Sequence, residues 1–119
     1  MAAFRNSVAG FRNAFAHEAA IREELVTLAV LAPVAAMLPV PPVERLVLIL
    51  LMLLVLVVEL LNTAVERTVD RISTQHHPLS GYAKDIGSAA VLTSLLMAIL
   101  GWLVIAGPLA WSWMHGRLS

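Results

Sequence analysis

Cysteine is absent from the 119-residue chain, which excludes disulfides and thiolate metal sites and leaves the redox compartment open. Charge is scarce too: 13% of residues, divided into eight basic and eight acidic. That balance supplies no global field for drawing in nucleic acid, which is therefore not an expected partner. Residues 25–43, 46–58 and 86–114 carry no charge at all. With 60% hydrophobic residues, the composition lies outside the ordinary soluble class and reads as an all-α membrane protein of one domain, 1–119. The first residues hold no continuous apolar core, because Arg5, Asn6, Arg12, Asn13, His17 and Glu18 interrupt them; this argues against a cleaved signal peptide.

What is present follows helical periods. Phe4, Val8, Phe11 and Phe15 recur at helical spacing with Arg5 and Arg12 off that stripe, predicting an amphipathic helix over 2–17 that lies in the membrane interface. The uncharged runs predict spans at about 25–40, 46–66 and 88–112, each near the length that crosses about 30 Å of hydrocarbon. Pro33 predicts a kink in the first span, and Pro39, Pro41 and Pro42 its end. Residues 41–45 are expected as a tight turn, and residues 73–85, broken by Pro78 and Gly81, as a polar loop of the kind that binds ligands. Gly107 and Pro108 are expected to kink or end the last span. Small residues from Gly87 to Ala90 open that span and permit close helix packing. Arg5, Arg12, Arg22, Arg67, Arg71 and Lys84 flank one side of the spans, against Arg45 and Arg117 on the other. The positive-inside rule then places the N-terminus and the 73–85 loop in the cytoplasm.

The chain is organised around residues 58–72, VELLNTAVERTVDRI. At about 100° per residue, Glu59, Asn62, Glu66 and Asp70 share one face within roughly 80°. Glu59 follows directly on an uncharged run, where an ionised carboxylate costs at least about 2.5 kcal/mol, so it is a functional candidate by default. Under the expected topology Glu18, Glu59, Glu66, Lys84 and Asp85 converge on one cytoplasmic boundary. Carboxylate oxygens without cysteine suit Mg²⁺, which binds one or two carboxylates and completes its shell with water and phosphate. Lys84 is a point charge suited to phosphate, and Glu59 lies where it could deprotonate a lipid hydroxyl. Plainer readings stand beside these: Glu66 pairing with Arg67 or Arg71, Lys84 anchoring at the interface, and His76 and His77, adjacent and so divergent, serving loop hydrogen bonds.

The block ELLNTAVERTVD (59–70), followed by HPLSGYAKDIGSAAVL (77–92) and preceded by HEAAIREE (17–24), resembles the prokaryotic diacylglycerol kinase family over nearly the whole chain. The resemblance implies an ATP- and Mg²⁺-dependent kinase that converts diacylglycerol to phosphatidic acid, as a homotrimer of three-span subunits in the bacterial inner membrane. It assigns Glu59 as catalytic base in contact with substrate and Glu18 and Glu66 as carboxylates holding the metal of the nucleotide. Gln75, His76, His77, Lys84 and Asp85 fall at nucleotide-binding positions, Ser88 at a lipid-side position, and Asn62 and Asp70 at supporting positions. Val8 and Ala9 stand where enterobacterial members have an aromatic and a basic residue, and Gln75-His76 replaces an acidic–aromatic pair. An undecaprenol-phosphorylating branch shares the central motif, although HEAAIREE and LSGYAKDIGSAAVL look closer to the diacylglycerol branch. A small multidrug or ion transporter is the alternative of a different class, disfavoured because such carriers resemble four-span proteins with a carboxylate in the first span. A purely structural trimer would leave Glu59, Asn62 and Glu66 unexplained.

Overall fold

The computed structural model describes residues 2–72 and 75–116. Among these residues all regular structure is helical: α1 (Ala2–His17), α2 (Ala19–Met37), α3 (Pro42–Ile72) and α4 (Pro78–Gly116). The last two are long and apolar enough to cross a membrane. Most of their apolar stretch is exposed on the chain itself, unlike the core helix of a soluble domain, so the surface asks for lipid or protein neighbours.

α1 occupies the expected 2–17 helix. Phe4, Phe11 and Phe15 remain exposed, while Ala14 is buried. Ala14 joins Ile21 and Leu56 in a small core, with Leu25, Leu28 and Leu60 packed around it. This core fixes the corner where α1 turns into α2 against α3. Burying a side chain such as Ile21 contributes about 1.5–3 kcal/mol where water is the alternative.

The expected first span is only partly matched. α2 keeps Arg22, Glu23 and Glu24 in its first turns and stops at Met37. Its uncharged part, residues 25–37, covers about 20 Å at 1.5 Å per residue, short of the hydrocarbon thickness. The helix continues through Pro33. Its end is closed from outside: the Arg45 guanidinium donates to the carbonyls of Ala35 (3.0 Å), Leu38 (2.8 Å) and Val40 (3.3 Å), satisfying acceptors that a helix end leaves open.

Two sequence expectations about chain breaks are corrected, and for a third one of its two alternatives is ruled out. The 41–45 turn is not a turn beyond Pro41, since Pro42 opens α3; proline suits a first helical position, where its missing N–H has no helical partner anyway. The polar loop does not extend to Asp85, since Pro78 likewise starts α4 and residues 78–85 are helical. His77 caps that start, its Nδ1 accepting from the Leu79 N–H at 3.0 Å. Gly107-Pro108 does not end the last helix, which runs to Gly116. α3 accordingly extends about 46 Å and α4 about 58 Å at 1.5 Å per residue.

α3 and α4 form the principal packed pair, and two glycines of α4 set their approach. A Cβ on Gly87 would collide with Asn62 Oδ1, and one on Gly101 with the tip of Leu51. The expected small-residue contact is therefore made at Gly87, whereas Ser88, Ala89 and Ala90 are exposed.

Candidate functional site

α3 has no break, so its polar stripe is delivered as the spacing predicts. Glu59 is half-buried, and Glu66 lies about 10 Å further along the axis. Between them Asn62 donates from Nδ2 to Glu66 Oε1 at 3.1 Å. Its own Oδ1 is buried with no hydrogen-bond partner, pressed against the side-chain-free surface of Gly87. Glu66 thus pairs with Asn62 rather than with Arg67 or Arg71.

Further along, Lys84 of α4 donates to Asp70 Oδ1 at 2.7 Å. This hydrogen bond holds the Lys84 ammonium above its usual pKa, opposed by partial desolvation and aided by the charges of Asp70 and Glu66. Lys84 is therefore cationic throughout the neutral range. Asp70, Gln75, His76, His77 and Lys84 line a cleft of about 230 Å³ together with Ser80 and Gly81. Four of the residues expected at nucleotide positions thus come together, with Asp70. Asp85 and Ser88 do not line this cleft; both are exposed on α4. Sites for drug-sized ligands run to roughly 300–1,000 Å³, so this cleft on one chain is smaller than such a site.

Glu18 comes from the α1–α2 corner. It holds the N-cap position of α2 in extended backbone, φ −122° and ψ 110°, without a side-chain cap. Its Oε1 accepts from Arg67 NH2 at 3.1 Å. Among the described residues no three His, Cys, Asp or Glu side chains group as a metal cage. A cation that arrives with a nucleotide would need only one or two carboxylates, and by residue type Glu18 and Glu66 each offer one, steadied by a nitrogen donor.

Sequence reading passed over a second polar element. Glu24 and Thr27, with Leu31 at the same helical face, open onto an apolar cavity of about 260 Å³ closed by Met52, Val55, Leu95 and Trp102. The i, i+3, i+7 spacing of Glu24, Thr27 and Leu31 was the available signal. Trp102 Nε1 is buried there without a hydrogen-bond partner. Arg67, read as a topology charge and as a possible partner of Glu66, pairs instead with Glu18 and Asn13.

A long α3 with graded carboxylates, clamped to α4 and met by an acidic α1–α2 corner, has the polar groups that an enzyme needs beside an apolar stretch. Known sequences agree. The family described as prokaryotic diacylglycerol kinase matches residues 5–106. The chain is 50% identical over 99 residues to the diacylglycerol kinase of Pseudomonas aeruginosa, covering 83% of this chain and 80% of that one. It is 44% identical over 96 residues to the diacylglycerol kinase of Escherichia coli K12, covering 81% and 79%. The undecaprenol kinase of Bacillus subtilis is 48% identical over 48 residues, 40% of this chain and 39% of that one. The chain belongs to the prokaryotic diacylglycerol kinase family. It is an enzyme of that kinase class, which removes the reason for a transporter or a purely structural reading.

Proposed function

We propose that the chain transfers the γ-phosphoryl group of ATP to the free hydroxyl of diacylglycerol, giving phosphatidic acid and ADP, at the cytoplasmic face of a bacterial inner membrane. The observation that carries this reading is the placement of three polar groups along one face of α3: Glu59 beside the apolar run, Glu66 held by Asn62, and Asp70 tied to Lys84. Glu59 accepts the hydroxyl proton as the lipid oxygen forms its bond to phosphorus, while the bond from γ-phosphorus to the bridging oxygen breaks toward ADP. Mg²⁺, when bound with the nucleotide, neutralises phosphate charge. Glu18 and Glu66 would hold that cation. Lys84 faces phosphate oxygens, with Gln75, His76, His77 and Asp85 around the nucleotide and Ser88 toward the lipid.

The reading includes a third span formed by α2 and the residues after it, an interfacial α1, and a homotrimer. The exposed Phe4, Phe11 and Phe15 support α1 in the interface. Exposed apolar faces on α3 and α4, and a cleft smaller than the site of a drug-sized ligand, support a site completed by a neighbouring copy.

Undecaprenol is the second reading, favoured by the 48% identity to the Bacillus kinase. Diacylglycerol is preferred because the relatives named for it match about twice the length of the chain. Purified protein in mixed micelles, given γ-labelled Mg-ATP and both lipids side by side, tests the choice. Label chiefly in phosphatidic acid is expected. Label chiefly in the polyprenyl phosphate would change the substrate and keep the chemistry, and label in neither would overturn the proposal.

A further inference from the structure

Arg67 follows Glu66 in sequence, yet at about 100° per residue it leaves the stripe of Glu59, Glu66 and Asp70 and turns toward the α1–α2 corner. There its NH2 donates to Glu18 Oε1 at 3.1 Å, and its NH1 donates to Asn13 Oδ1. One planar group therefore grips two side chains on either side of the corner, which the fixed fork of a guanidinium can do and a lysine ammonium cannot do with the same geometry.

The corner has its own backbone fastening. Arg22 NH1 donates to the carbonyls of Phe15 (2.9 Å) and Ala16 (3.3 Å), and the Ala14–Ile21–Leu56 core lies beneath. The Arg67 pair is partly exposed, 44% and 31% for its two side chains, and exposed ion pairs contribute little to stability. What the pair does determine is where one carboxylate points. An acid at an N-cap position ordinarily turns back onto the first amides of its helix, but Glu18 makes no such bond; its side chain reaches across to α3.

We propose that Arg67 is a positioning residue for Glu18, holding that carboxylate of the α1–α2 corner against α3 before the Mg-nucleotide arrives. The proposal rests on the reading of Glu18 as a ligand of the nucleotide's metal. An ionised carboxylate accepts at both oxygens, so engagement of Oε1 leaves Oε2 for the cation. Groups that orient a metal ligand from behind typically change metal affinity by about 10–100-fold when removed. Arg67 acts through Glu18 and has no place in the phosphoryl-transfer step itself.

The test is equilibrium binding of the Mg²⁺ complex of a non-hydrolysable ATP analogue to the full-length protein in micelles without lipid substrate, so that turnover plays no part. R67A is expected to weaken binding about tenfold, equivalent to about 1.4 kcal/mol, and R67K to recover part of the loss by pairing with one acceptor. N13A, which leaves Glu18 and its partner intact, is expected to weaken binding less than R67A. In the E18Q background R67A should add nothing, the coupling that a double-mutant cycle reads for groups acting as a unit. If R67A fails to assemble, the same cycle is run with R67K. An equal loss from the Arg67 substitution with and without E18Q, a loss from N13A as large as that from R67A, or no loss at all would overturn the proposal while leaving the kinase reading intact. Failure of the unaltered protein to bind the Mg-nucleotide would instead overturn the reading of the site, and the metal role of Glu18 with it.

Discussion

The two ends of the α3–α4 pair are built differently. At the end that holds residues 59–70, Lys84 of α4 is hydrogen-bonded to Asp70 of α3, Asn62 packs against Gly87 while bonding Glu66 on its own helix, and Arg67 reaches out to Asn13 and Glu18. At the other end Gly101 receives the apolar tip of Leu51, and Ser94 turns its hydroxyl back to the Val91 carbonyl of its own helix at 2.7 Å. Packing without hydrogen bonds adapts when a side chain shifts, whereas a hydrogen-bonded contact fixes direction. The same two helices thus provide a forgiving half suited to apolar neighbours and a more directed half that carries the polar stripe.

The comparison is broken most severely at Glu59. Glu59→Gln keeps the shape and removes the base, so turnover should fall by about 10²–10⁴-fold with nucleotide binding retained; phosphoryl-transfer rates and analogue binding measured on the same preparation check this. Next comes the pair of glycine substitutions. Gly87→Ala drives a Cβ into the hydrogen-bonded Asn62 and should cost about 1–3 kcal/mol, displace the Asn62–Glu66 pair and weaken Mg-nucleotide binding. Gly101→Ala meets only the flexible end of Leu51 and should lower thermal stability without touching nucleotide affinity. Equal effects of the two on nucleotide binding would erase the distinction between the halves. Asn62→Ala removes one hydrogen bond to Glu66, worth about 1.5–3 kcal/mol to a charged acceptor, and should raise the Mg²⁺ concentration needed for half-maximal activity. The smallest effect is expected at Asp70→Asn. Its exposed pairing with Lys84 contributes at most about 1 kcal/mol to stability, so the melting temperature should scarcely move.

The polar stripe was legible in the sequence because nothing between Pro42 and Ile72 interrupts the helix, and an unbroken period carries four side chains to one face. Ends were less legible. Pro42 and Pro78 read as breakers by type, but each occupies a first helical turn, and the cap that reveals this at Pro78 is a histidine rather than the serine, threonine or aspartate that sequence rules favour. Of the nucleotide-binding candidates, Gln75, His76, His77 and Lys84 meet in one cleft; their joining depends on the start of α4, which brings residues 77–84 up beside Asp70. Glu18 was recognised as a candidate but its partner was not, because Arg67 lies 49 residues away in the chain, where no local period links the two.

The central claim is that depth along α3 divides the work, Glu59 performing proton transfer and Glu66 holding the nucleotide's metal. Its most direct test sets Glu59→Gln beside Glu66→Gln and measures Mg-nucleotide affinity and phosphoryl-transfer rate for both. The account predicts loss of rate in both variants but loss of affinity only in Glu66→Gln. Equal loss of affinity in the two would contradict it.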